Sequence, residues 1–148
     1  MKIQRTFDGD FVANCYQSAW DKIGDDETRS QSIFFPDMSA AHYWLEVEDN
    51  GEKLGIFLAR QMNKVCYEGH IVLLPSAFGQ SGEAAKLAVN WMFENTDCQR
   101  IIGCIPAYNT PAINVAKKAG MKQFGINEKS FMKDGILFDQ VYLGISRG

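Results

Sequence analysis

The spacing of hydrophobic and polar positions changes several times along the chain, and each change marks an element. Residues 2–6 alternate as a short strand, and Asp8 or Asp10 then stands where a helix cap belongs. Phe11, Val12, Cys15, Tyr16, Ala19, Trp20 and Ile23 share one face at helical spacing, which predicts an amphipathic helix ending at Gly24. The polar stretch 25–32 reads as a loop or a short irregular helix. From His42 to Asp49 the period falls to two, with Tyr43, Leu45 and Val47 on one face. Asn50-Gly51 is a two-residue hairpin signal, and Lys53 to Arg60 follows with Leu54, Ile56 and Leu58. A third strand, Val65 to Leu74, stops at Pro75 and completes an antiparallel meander.

Small residues dominate the loop from Ser76 to Gly82, after which Ala84, Leu87, Ala88, Trp91 and Met92 form a helical stripe within Glu83 to Asn95. Arg100 to Ala107 is mostly apolar, as a strand covered on both faces would be. Thr110-Pro111 opens a helix predicted to stop at Gly120, and strands over 123–132 and 136–146 are joined by Asp134-Gly135. The order β-α-βββ-α-β-α-ββ predicts an α/β (α+β) fold, a mixed and largely antiparallel central sheet with helices on both faces. At 148 residues and 46% hydrophobic, residues 1–148 are expected to form one domain.

Charge and cysteine content narrow the function. A net charge of -3 argues against nucleic acid as a partner, since phosphate-backbone binders concentrate Lys and Arg. No apolar run approaches the roughly 18 residues of a membrane helix, and Met1-Lys2-Ile3-Gln4-Arg5 runs into polar residues, so neither membrane nor secretion is expected. A cytoplasmic location follows as the expectation. Cys15, Cys66, Cys98 and Cys104 contain no Cys-x-x-Cys pair, and the only histidines are His42 and His70, so no metal site is expected. Cys104, in an apolar stretch, reads as a small core residue.

Three segments carry a family resemblance. Leu73-Leu74-Pro75 leads into Ser76-x-x-Gly79-x-Ser81 and a helix beginning Gly82-Glu83-Ala84; Asn109 opens a helix ending in Gly120-Met121; and Phe131-x-Lys-Asp-Gly135-x-x-x-Asp139-x-Val141-x-Leu143 closes the chain. In this order they resemble the GNAT superfamily of acyl-CoA N-acyltransferases, nearest the branch that acetylates ribosomal-protein N-termini. The resemblance implies acetyl-CoA as co-substrate, its pyrophosphate on the loop Phe78, Gly79, Gln80, Ser81 and Gly82. It also implies that Ile71, Val72 and Leu73 lend backbone groups to the pantetheine arm and that Asn109 bonds the same arm. A glycine turn feeding a helix start presents free N–H groups and the positive end of the helix dipole, as a diphosphate requires. The same features also suit an ordinary strand-to-helix turn, and Asn109 an ordinary helix entry.

The pattern departs from the family at several positions. Ser76 replaces a Gln or Arg, no Lys or Arg lies between Val65 and Ala85, and Glu83 adds a negative charge to the first helical turn. Ala112 and Ala116 occupy the places of a Ser and a Tyr that can act as general acid, leaving Tyr108 as the nearest donor or as a packing aromatic. Glu68 and His70 stand at i and i+2 and share a strand face, as candidate base and alternate or as a solvated polar pair. Apolar Val72 and Leu74 beside Glu68 predict a raised carboxyl pKa. Glu46, Glu48 and Asp49 offer acidic attraction for a cationic amine. Two functions follow: direct acetyl transfer to an amine of a small molecule or protein, with a homodimer as an allowed state, or a catalytically silent binding or assembly module on the same fold.

Overall fold

The computed structural model describes residues 1–30, 34–77 and 79–148. Its middle layer is a seven-stranded sheet in the order β1-β2-β3-β4-β5-β7-β6. The strands are β1 (Lys2–Arg5), β2 (His42–Asp49), β3 (Glu52–Gln61), β4 (Cys66–Leu73), β5 (Arg100–Pro106), β6 (Lys122–Lys133) and β7 (Ile136–Ser146). Every neighbouring pair is antiparallel except β4 with β5. Both predicted hairpins form, with left-handed backbone at Asn50 (φ 52°) and Gly51 (φ 82°) and at Asp134 (φ 53°) and Gly135 (φ 73°), the geometry that matches strand twist.

Helices cover both faces because β3 is apolar on both. Ile56 and Leu58 pack beneath α1 (Gly9–Ser18) with Val12, Cys15, Trp44 and Val72. Phe57 and Ala59, on the other face, pack with Ala88, Val89 and Met92 of α4 (Ser81–Asn95) and Ala116 of α5 (Thr110–Lys118). Among the described residues no helix is long and apolar enough to cross a membrane.

The first helix is not continuous to Gly24 as its periodicity predicts. It breaks at Ala19 (φ -113°, ψ 7°) into α1 and the short α2 (Trp20–Ile23). The Ser18 hydroxyl donates to the Cys15 carbonyl at 2.7 Å, a local bond that competes with the helical ladder where the chain turns. The polar stretch contains α3 (Asp26–Ser30), and its residues 31 and 32 lie outside the described residues. Helix α4 starts two residues before the predicted Glu83, which draws Ser81 and Gly82 into its first turn.

Gly55 makes the closest approach between β3 and β4. Its φ is +148°, and a Cβ there would stand 2.4 Å from the Val72 carbonyl oxygen and 2.7 Å from Leu73 Cα, both backbone atoms. Gly55→Ala must therefore push β4 away, and urea denaturation should show a loss of roughly 1–3 kcal/mol, the usual cost of overpacking.

Candidate active site

The site begins where two parallel strands part. β4 and β5 pair only over Cys66–Glu68 and Arg100–Ile102. The Ala107 N–H donates to Asp139 O at 2.8 Å, so by strand alternation the ring nitrogen of Pro106 faces the β4 side, where it supplies no donor. On β4 the Leu74 N–H donates to Leu54 O at 2.8 Å, and alternation turns the backbone of Val72 and His70 toward β3 as well. Ile71 and Leu73 therefore direct their N–H and C=O groups into the gap, just beyond Gly69, whose N–H belongs to the last rung of the β4–β5 ladder. The backbone of Val72, a residue of the cleft lining, is turned to β3 opposite Ile56.

The gap opens a cleft of about 530 Å³ that passes through the sheet layer. Ala85 and Val89 of α4 with Ala112 and Ala116 of α5 wall one end, and Tyr16, Trp20 and Phe34 wall the other. His70, Ile71, Gly103 and Cys104 of the splayed strands lie between.

At the α4 end, a 3₁₀ turn over Pro75–Ala77 leads to Gly79, left-handed at φ +86°. Phe78 lies outside the described residues. The Gln80 N–H is engaged by the Ala77 carbonyl at 2.9 Å, and its side chain reaches Asp49 at 3.5 Å without capping the helix. The first helical bond runs from the Ala84 N–H to Gln80 O, leaving the N–H groups of Ser81, Gly82 and Glu83 beyond reach of any helical carbonyl. Sequence reasoning missed a cation here. A Cβ on Gly82 would lie 2.7 Å from Cδ and 2.9 Å from Cβ of Lys118, so the last turn of α5 lays a lysine stem across the first turn of α4. The one sequence signal was a glycine inside a helical turn, where another group can approach closely.

Asn109 caps α5, its Oδ1 accepting from the Ala112 N–H at 3.3 Å, and it lines the cleft. Among the described residues its side-chain nitrogen has no partner. Tyr108 packs against Phe138 (centroids 4.6 Å apart) and Phe131 (6.2 Å) and is not among the residues lining the cleft.

Glu68 and His70 meet on β4, with Glu68 Oε1 2.6 Å from His70 Nε2. Arg60, across the pair on β3, brings its guanidinium to 3.5 Å from the other carboxylate oxygen. His70 lines the cleft and Glu68 stands behind it. The expected rise in the Glu68 pKa does not occur. The hydrogen bond from His70, with the Arg60 guanidinium beside the carboxylate, outweighs burial and lowers it. An ionised Glu68 must accept, so Nε2 carries a proton and the neutral ring keeps its lone pair at Nδ1. Burial pushes the Cys104 thiol up, which keeps it protonated and weakly nucleophilic. Glu46 is buried against Gln4 and Lys53, whose ammonium is 3.3 Å away, so its charge is matched inside the sheet layer. Among the described residues no cluster of three His, Cys, Asp or Glu could hold a metal ion.

A carboxyl group with a lowered pKa in the folded state contributes stability above its unfolded pKa and loses it as pH falls through the folded value. Glu68→Gln should therefore cost stability at pH 7, and its deficit should shrink as the pH drops below about 4.3, the ordinary glutamate value. Urea titrations of both proteins from pH 3 to pH 7 measure this. A deficit constant with pH would assign Glu68 a packing role without electrostatic weight.

No match is found among curated proteins. In structure the chain is similar to a spermidine N-acetyltransferase from Vibrio cholerae in complex with CoA and spermine, with 14% identity, a TM-score of 0.76 and coverage of 98% of this chain and 94% of that one. It is also similar to a ribosomal-protein-alanine N-acetyltransferase from Brucella melitensis (16% identity, TM-score 0.74, 99% and 100% covered). A Salmonella typhimurium protein with its cofactor acetyl-CoA gives 14% identity and a TM-score of 0.76 over 99% and 93% of the two chains. At such identities the likeness is one of fold. The sequence profile of the acetyltransferase (GNAT) domain matches residues 10–122, from α1 to the start of β6, and the chain belongs to the GNAT acetyltransferase family.

Proposed function

We propose that the chain transfers an acetyl group from acetyl-CoA directly to an amine of a small molecule or a protein. The observation that carries this reading is the cleft at the parted strands, lined by Ala85 and Val89 of α4 on one side of the sheet and by Tyr16 and Trp20 on the other. The N–H groups of Ser81, Gly82 and Glu83 and the ammonium of Lys118 hold the pyrophosphate. Ile71 and Leu73 pair with the pantetheine arm as an added strand would, and Asn109 donates its side-chain N–H to the same arm. Solved relatives carrying acetyl-CoA, or CoA with spermine, support the co-substrate and the amine class.

His70 is the base, and Glu68 is its positioning residue. The His70 Nδ1 lone pair takes a proton from the ammonium form of the acceptor, and the freed amine attacks the thioester carbonyl carbon. The backbone N–H of Ile71 polarises the carbonyl oxygen as the C–N bond forms. The C–S bond then breaks, the amide nitrogen releases its second proton, and the departing CoA thiolate takes up a proton through solvent, since Ala112 and Ala116 offer none. Cys104, held as a thiol, forms no covalent intermediate.

Those two alanines in the cleft lining also favour a second reading, a module that binds acetyl-CoA without turning it over. Acetyl-CoA binding without release of free CoA, in the presence of amines, would establish it.

Acetyl-CoA at 100 times its Kd should add about 2.7 kcal/mol of stability and raise Tm by roughly 5–10 °C. Lys118→Ala should reduce that rise at fixed concentration, and an unaltered rise would remove Lys118 from the phosphate site. His70→Gln should lower kcat/KM by roughly 10²–10⁴ while the acetyl-CoA-induced Tm rise persists. The loss should narrow at alkaline pH, where the acceptor amine is already neutral. Full activity of His70→Gln at pH 7 would overturn the assignment of the base.

A further inference from the structure

The acceptor chamber has a chemistry of its own. Tyr16 and Phe34 stack with ring centroids 4.4 Å apart at 16°, and Trp20 meets Phe34 edge-on at 5.6 Å. All three rings line the cleft. The break at Ala19 produces this arrangement, because it starts a new short helix with Trp20 after α1 has placed Tyr16 over the sheet. Among the described residues Trp20 Nε1 is buried without a partner, an orphan donor that a ligand oxygen would complete.

Charge in the same lining points away from a polycation. Among the described residues lining the cleft Asp25 is the one carboxylate, facing Lys22 and an Arg60 already bridged to Glu68. Asp25 is already engaged, its Oδ1 accepting from the Thr28 N–H at 2.8 Å. Glu68 is bridged by Arg60 and His70. The Asp26 carboxylate accepts the Asp134 and Gly135 N–H groups at the tip of the β6–β7 hairpin. A polyamine carries several ammonium groups along one chain, and each needs its own carboxylate or water when bound. A single ammonium facing His70, on a skeleton that packs against three rings, meets no such deficit.

We infer that the acceptor is an amine with one positive charge and an aromatic or apolar body, and that polyamines are poor substrates. The inference rests on the acetyltransferase reading above and sets this chamber apart from what the spermine-bound relative accommodates.

The experiment uses the full chain, with acetyl-CoA binding followed by Tm and acetyl transfer followed by CoA release. 2-Phenylethylamine and spermidine serve as paired acceptors. The expected kcat/KM is at least tenfold higher for 2-phenylethylamine. Trp20→Ala should raise KM for 2-phenylethylamine at least fivefold while keeping the Tm rise with acetyl-CoA, which also shows that the variant folds. Lys22→Glu, at an exposed position, should improve spermidine turnover and narrow the preference. Spermidine used equally well or better overturns the inference. So does acetyl-CoA binding with acetylation of neither amine, or of a peptide N-terminus alone, and in those cases the cofactor reading survives. Absence of any acetyl-CoA effect on Tm overturns the acetyltransferase reading, and this inference with it.

Discussion

Everything functional in this molecule depends on β4 and β5 ceasing to pair after three residues. Two parallel strands buried in one sheet would ordinarily continue their ladder, because an unpaired buried N–H or C=O is costly. Here Pro106 removes a donor from the β5 side of the gap, and the tight contacts at Gly69, where a Cβ would stand 2.9 Å from the Phe57 ring and 3.2 Å from Ile101, close the sheet just before it opens. The backbone groups of Ile71 and Leu73 are thus available to a ligand that can behave as a strand. The same separation joins the two helical faces, so a cofactor approaching from α4 and an acceptor approaching from α1 can meet across one strand.

The Arg60, Glu68 and His70 cluster shows which electrostatic effect prevails at that meeting point. Burial alone would favour a neutral glutamic acid, whereas a 2.6 Å hydrogen bond from the imidazole and a nearby guanidinium favour the carboxylate. The second influence is larger, and it separates two residues that share a strand face into different roles. An ionised Glu68 is a weak base at neutral pH but a good orienting acceptor. His70, fixed through Nε2, is left with one lone pair, as a base beside an ammonium needs.

Much of the fold was legible because it rests on local rules. Asn50-Gly51 and Asp134-Gly135 specified hairpins, and Thr110-Pro111 with Gly120 bounded a helix that runs from Thr110 to Lys118. The break at Ala19 was not legible, since Tyr16, Trp20 and Ile23 keep helical spacing through it and a serine side chain bond is the only local trace. At the site, the strand alternation that joined Glu68 to His70 could be read directly. Arg60 could not, because it faces Glu68 only once the β3–β4 register is known. Lys118 was invisible for a related reason: it reaches Gly82 through the packing of α5 on α4, and no spacing rule connects residues 82 and 118. The cleft itself follows from a ladder that stops, and an apolar run such as Arg100 to Ala107 reads the same whether paired on one side or two.

The energetic weights of the two halves of the cofactor end differ. Charges at exposed helix starts contribute roughly 0.3–1 kcal/mol each, and Glu83 in the first turn of α4 opposes a diphosphate there. In the proposed reading, three amides and one exposed lysine would therefore guide the phosphates without dominating affinity. Apolar surface removed from water contributes about 25 cal/mol per Å², so roughly 100 Å² of pantetheine buried against Ala85, Val89, Val115 and Ala119 would match several such charge contacts. In the proposed reading, binding strength would reside mainly where the arm lies along β4, the same stretch that would present the thioester to His70. Such an arrangement tolerates a phosphate loop without a basic residue, and it links cofactor affinity to the register of the reacting carbonyl.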